Sequence, residues 1–209
     1  MAQTLPNVCT VTIVITIPLF LILTNVLLLA SPVFVRYEYR KVPAPEACIL
    51  SDDERLEMAM KIVKYIHGKE ALDNVQTYLT EKELSHLSDV SLVLKRARIL
   101  QAISDIALVL SSSFLSTKGY RSDLRRSMIL GSIVSFSVFF TCFLIALMNF
   151  RLFFIWLHSI LFPPGSWMFN PTSILIQLFP EGFWIEMFRT FLFLLLVESS
   201  LALLSGFFL

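Results

Sequence analysis

A run of about twenty consecutive apolar residues leaves a chain very few folds. At ~1.5 Å rise per residue it matches the ~30 Å hydrocarbon core of a bilayer, and inside lipid every backbone N–H and C=O must be satisfied within the helix itself. Such runs recur here: Val11 to Ala30, a second starting between Val90 and Ile99 and ending near Thr117, Met128 to Met148, and Phe188 to Leu209. Composition agrees, with 56% hydrophobic residues, 19 Phe and a mean hydropathy of +0.74; soluble domains lie nearer ~45–50% apolar. The expected fold class is an all-α integral membrane protein with four transmembrane helices, a small helical polar region and a re-entrant or surface-lying apolar loop. A net charge of +1 gives no reason to expect nucleic acid. Cys9, Cys48 and Cys142 are scattered, in neither a disulfide framework nor a metal spacing.

The 209 residues read as a single membrane domain. Its parts are a first span at 11–34, a polar helical region at 36–89, an interfacial helix plus second span at 90–117, a charged turn at 118–127, a third span at 128–148, an apolar loop at 149–186 and a fourth span at 187–209. The first span is expected to be an uncleaved anchor, since MAQTLPNVCT before it lacks the basic residues of a signal peptide. In the polar region, Ser51-Asp52-Asp53-Glu54 and Thr80-Glu81-Lys82-Glu83 are capping boxes that open helices. The first of these helices carries Leu56, Ala59, Met60, Val63 and Ile66 on one face and stops at His67-Gly68. Orientation is left open by charge: Lys118, Arg121, Arg125 and Arg126 crowd one turn, but Arg36, Arg40, Lys41, Lys95, Arg96 and Arg98 flank spans on the other side.

The stretch from Phe153 to Trp184 resists the span pattern. Pro163, Pro164, Pro171 and Pro180 each interrupt a helix, yet Phe153, Phe154, Trp156, Leu157, Ile160, Leu161 and Phe162 are as apolar as any span. Within that run lies His158, which burial keeps neutral, the form a general base needs; a core histidine bonded to a backbone carbonyl is the other reading. His86, with Glu83 and Asp89 at i−3 and i+3, is either a solvated residue or a proton carrier made more basic by those carboxylates. His67, before Gly68, fits a helix C-terminus. None of the histidines is spaced as a zinc pair, so no metal is expected. Asp105 and Glu198 fall inside spans, where such residues usually find partners in the protein interior; each is expected either to pair with Arg36, Arg151 or Arg189 or to remain protonated. Ser111, Ser112 and Ser113 suit helix packing.

Two segments, EKELSHLSDV and LHSILFPPGSWMFNPTSILIQLFPEGFW, together resemble the signature regions of the bacterial lipoprotein intramolecular transacylase family. So does the order of parts: a span, YEYR, a region with ERLEMA, His-Leu-x-Asp-Val and then three more spans. The Trp167-x-Phe169 pair and the run from Leu175 to Glu181 are the most distinctive elements. The chain departs from the pattern at Leu157 and Leu161, where Phe is usual, and at Asn170, where Asp is common.

The resemblance implies a multi-pass enzyme of the bacterial cytoplasmic membrane that moves the sn-2 acyl chain of a diacylglyceryl lipoprotein onto the α-amine of the same lipidated cysteine. It makes the polar region extracytoplasmic, with both chain termini inside and the active site facing outward. Diacylated lipoproteins and the phospholipid bilayer are the implied partners, with no cofactor and a monomeric state expected. His158 and His86 match the family's catalytic pair, and two imidazoles suffice to divide the roles of base and of acid or oxyanion donor. The pattern gives His158 as the base, with its pKa lowered by burial, and His86 as the acid or oxyanion donor, with its pKa raised by Glu83 and Asp89. Arg36, Trp167 and Phe169 are expected to support the site, as are Pro180 and Glu181. A non-catalytic lipid-sensing or scaffold protein, or a small transporter using Asp105 or Glu198, are the alternatives to an enzyme.

Overall fold

The computed structural model describes residues 4–45, 48, 50–71 and 74–209. Its elements are α1 (Thr4–Leu29), α2 (Pro32–Tyr39), α3 (Asp52–Ile66), a 3-10 turn (Gln76–Tyr78), α4 (Glu81–Thr117), α5 (Arg121–Leu161), α6 (Ile174–Leu178) and α7 (Glu181–Phe208). The helices α1, α4, α5 and α7 are long and apolar enough to cross a membrane. The fold is that of an all-helical membrane protein. At 37 residues α4 rises about 55 Å, roughly twice a hydrocarbon core, whereas the 41 residues of α5 are two helices divided at Asn149. Lys95, Arg96 and Arg98 would each be costly in hydrocarbon, which favours a span in the later part of α4. In α5 the helix breaks at Asn149, whose extended backbone (φ −168°, ψ 103°) restarts a helix: its Oδ1 accepts the Leu152 N–H at 3.1 Å, as an N-cap does.

The chain forms two compact units. One comprises residues 1–26, 97–148 and 191–209. Its helix contacts use small residues: Ser127, Ser132, Ser135 and Ser199 are fully buried. The Ser132 and Ser135 hydroxyls donate to the carbonyls of Met128 and Gly131. The intramembrane carboxylates find amides here, not the arginines expected. Asn25 Nδ2 donates to Glu198 at 2.7 Å, and Gln101 Nε2 lies 2.8 Å from Asp105 and 3.1 Å from the Thr24 hydroxyl. Arg189 instead pairs with Glu186 on its own helix.

The other unit comprises residues 27–96 and 149–190. The Ser51 capping box opens α3, and His67 ends it before Gly68 at φ +70°. His67 Nε2 also bonds the Ala30 carbonyl at 2.9 Å. The buried face of α3 is wider than the single stripe expected. Met58 and Ile62 join Val75, Leu79, Leu87, Leu175 and Leu178 in one cluster, while Met60 and Val63 join Val35 and Phe183 in another. Between these clusters Tyr39 donates its hydroxyl to the Leu178 carbonyl at 2.5 Å, and burial pushes the phenol pKa up.

Candidate active site

The residues expected to act together do meet, on helices rather than on a loop. His86 stands in the second turn of α4, three residues after Glu83. Glu83 is 1% exposed and its carboxylate is fully engaged. One oxygen closes the capping box on the N–H and hydroxyl of Thr80, both at 2.8 Å; the other accepts the Leu175 N–H at 3.0 Å. Glu83 therefore ties the start of α4 to the first turn of α6. Lys82, beside it, donates to the Met168 carbonyl at 2.6 Å and lies over the Phe169 ring. Together these contacts fix the 167–178 stretch beside His86.

His158 was expected in a broken loop, but it lies on the helix restarted at Asn149, which runs to Leu161 before Pro163 stops it. Its Nδ1 is 2.9 Å from the Phe154 carbonyl one turn back. A carbonyl only accepts, so Nδ1 carries the hydrogen and Nε2 of the neutral ring is a bare lone pair. The rings of His86 and His158 are 6.4 Å apart, inclined by 30°. Phe162 packs against both, at 4.8 and 5.4 Å, Phe169 against His86 at 5.5 Å, and Phe154 and Trp167 against His158 at 3.9 and 5.1 Å.

Both imidazoles lie outside the four apolar runs expected from the sequence to span the membrane, and both are held neutral. Burial lowers the pKa of His86 to about 4, the neighbouring His158 adds to that, and Asp89 opposes it only in part. Burial also lowers the pKa of His158, against the Phe154 carbonyl. The expected rise at His86 is thus overturned: Glu83 is committed to Thr80 and Leu175, and desolvation among aromatic rings outweighs Asp89. Two polar atoms of the site are buried without a partner, His86 Nδ1 and the indole Nε1 of Trp167. Trp184, by contrast, donates its indole N–H to the Phe179 carbonyl at 2.9 Å.

The remaining expected residues are not gathered at the pair. Arg36 is exposed on α2, and Glu181 is exposed in the first turn of α7, where an acid suits the helix N-terminus. Pro180 starts α7, its carbonyl accepting the Phe183 N–H at 2.9 Å. Phe154 and Phe162 were missed as site residues. They stand at i−4 and i+4 from His158, so helical spacing applied to FFIWLHSILF would have picked them out. Among the described residues no group of three His, Cys, Asp or Glu side chains is placed to hold a metal ion.

A family model for the lipoprotein intramolecular transacylase Lit matches residues 11–184. The chain belongs to the lipoprotein intramolecular transacylase family. With membership comes the activity, intramolecular transacylation by an acyltransferase integral to the membrane. The fold agrees with solved structures of the membrane integral lipoprotein intramolecular transacylase Lit from Bacillus cereus. One matches with a TM-score of 0.83 at 18% identity, over 94% of this chain and 92% of that one. Two variants of that protein, each with a histidine replaced, by arginine in one and by alanine in the other, match with TM-scores of 0.77 and 0.78, also at 18% identity. The arginine variant covers 99% of this chain and 92% of its own, the alanine variant 100% and 94%. No curated protein sequence matches the chain.

Proposed function

We propose that the chain moves the sn-2 acyl chain of a diacylglyceryl-modified lipoprotein onto the α-amine of its N-terminal lipidated cysteine. His158 acts as the base and His86 as the donor. The observation that carries these roles is the 2.9 Å contact between His158 Nδ1 and the Phe154 carbonyl, which engages the Nδ1 hydrogen of a neutral ring and leaves Nε2 bare. In the reaction Nε2 of His158 takes the proton of the α-ammonium, and the freed amine attacks the sn-2 ester carbonyl. His86, in its Nε2–H tautomer, and the unpartnered indole N–H of Trp167 donate to the developing oxyanion. When the tetrahedral intermediate collapses, the C–O bond breaks, the imidazolium gives its proton to the leaving sn-2 oxygen, and the nitrogen loses its second proton to the freed Nε2 and from there to solvent, so that one proton is released per turnover. The products are an amide and a free sn-2 hydroxyl, with no covalent enzyme intermediate. Because amine and ester belong to one molecule, held geometry supplies much of the rate, with effective molarities up to ~10⁵ M or beyond. The aromatic wall of Phe154, Phe162 and Phe169 suits a lipid substrate and excludes water.

In this reading the enzyme is a monomer in the bacterial cytoplasmic membrane, surrounded by bilayer lipid, with its active site facing outward. Arg36, Pro180 and Glu181 serve the helices that frame the site, and Asp89 partly offsets the loss of basicity that burial imposes on His86. The test uses a synthetic diacylated lipopeptide with an isotopically heavy sn-2 chain and the purified protein. Mass spectrometry should find the heavy chain on the amine and a hydroxyl at sn-2. An unaltered substrate, or a heavy chain released as free fatty acid, refutes the proposal.

A further inference from the structure

The first unit carries a groove unconnected with acyl transfer. It has a volume of about 340 Å³ and is lined by Asn7, Thr10, Val11 and Val14 of α1 and by Arg126 and Leu130 of α5. Just past it the two helices come into close contact at Gly131, where a Cβ would meet Ile17 Cδ1 at 2.8 Å. On both helices the lining residues precede that contact, so α1 and α5 run parallel here. The groove therefore has an order along its length: Asn7, Thr10 and Arg126 at the mouth, Val11, Val14 and Leu130 within, and the Gly131–Ile17 contact as its closed end. Val11 is 57% exposed and Leu130 38%, leaving an apolar wall open to the surroundings at the end of a span.

Charge at the mouth is one-sided. Arg126 has no carboxylate within ion-pair distance among the described residues. The first two turns of α5, with the short connection before them, add Lys118, Arg121 and Arg125 against Asp123 alone. A cation with an amide and a hydroxyl at headgroup depth, above an apolar channel one or two helical turns long, matches the sequence of groups in a lipid: phosphate, then hydrocarbon. We propose that this groove binds one anionic phospholipid. Its phosphate rests on Arg126, Asn7 and Thr10, and one acyl chain lies along Val11, Val14 and Leu130.

Native mass spectrometry of the purified full chain, titrated with phosphatidylglycerol or phosphatidylcholine, tests the assignment. Phosphatidylglycerol should bind in preference to phosphatidylcholine. Arg126→Gln should weaken it about fivefold, the effect of one basic residue near a headgroup. Asn7→Asp, which sets a negative charge against the phosphate and changes little in size, should weaken it at least as much. Arg121→Gln, a cation at the start of the same helix that does not line the groove, should leave binding within about twofold. The proposal is overturned if the two lipids bind equally, if phosphatidylglycerol binding survives Asn7→Asp or Arg126→Gln, or if Arg121→Gln weakens it as much as Arg126→Gln does. Asn7 is exposed, so its variant carries the test should the arginine variant fail to fold.

Discussion

The direction of a hydrogen bond at one imidazole decides more here than the presence of the histidine. His158 has its Nδ1 proton held by Phe154, and its pKa is lowered. Activity should thus hold from neutral pH down to below the usual imidazole range, then fall as the base protonates. His158→Gln should lose about 10²- to 10⁴-fold in rate, the scale of general base catalysis. His86→Gln keeps an N–H donor and should lose less; a pH–rate series on purified variants reads both. Trp167→Phe removes an N–H but little volume, and should cost about 10²-fold in kcat with KM nearly unchanged if that N–H meets the oxyanion. An equal loss in KM points to packing instead. The depressed pKa of His86 also has a sign in stability. The unfolded state binds the proton more readily between the ordinary value near 6.5 and the folded value of about 4. Stability therefore drops as pH falls through that window, and His86→Gln should flatten the decline seen in thermal unfolding. Both histidines were legible in the sequence, but the charge state of His86 was not. Spacing on a helix shows which carboxylates are near in sequence and says nothing of where their oxygens are spent.

At the level of elements, Glu83 joins α4 to α6 through a bond to a residue 92 positions away in the sequence. Its capping box was legible, since Thr-x-x-Glu is a local pattern; its bond to Leu175 was not, because nothing local marks it. Glu83→Ala removes the cap and leaves a buried N–H unpaired, at a cost of about 2 kcal/mol in thermal or denaturant unfolding. Glu83→Gln, which still accepts from Leu175, should cost less. The misreading of 149–161 as loop has a similar cause. Four prolines between 163 and 180 make the whole stretch look broken, yet the first comes five residues after His158, and Asn149 supplies a cap of its own. Helix therefore runs to Leu161, and His158 reaches His86 from a rigid support.

For the whole molecule, span count and helical class follow from apolar run length alone, because lipid admits so few backbones. Orientation does not, because basic residues flank the spans on both sides. The proposed outward-facing site would make Cys48 reachable from outside: an impermeant thiol reagent on intact cells should then label it, while Cys9, buried in α1, stays protected. Labelling only after permeabilisation would put the pair on the wrong face for mature lipoproteins. The account as a whole rests on the chain converting lipoproteins through the His86–His158 pair. The most direct measurement is mass spectrometry of lipoprotein N-termini from a bacterium that makes only the diacylated form. Expression of the chain should yield N-acyl, S-monoacylglyceryl cysteine, and a folded His158→Gln chain at equal level should leave the N-termini diacylated. Diacylated N-termini with the unaltered chain well expressed, or full conversion by His158→Gln, would contradict it.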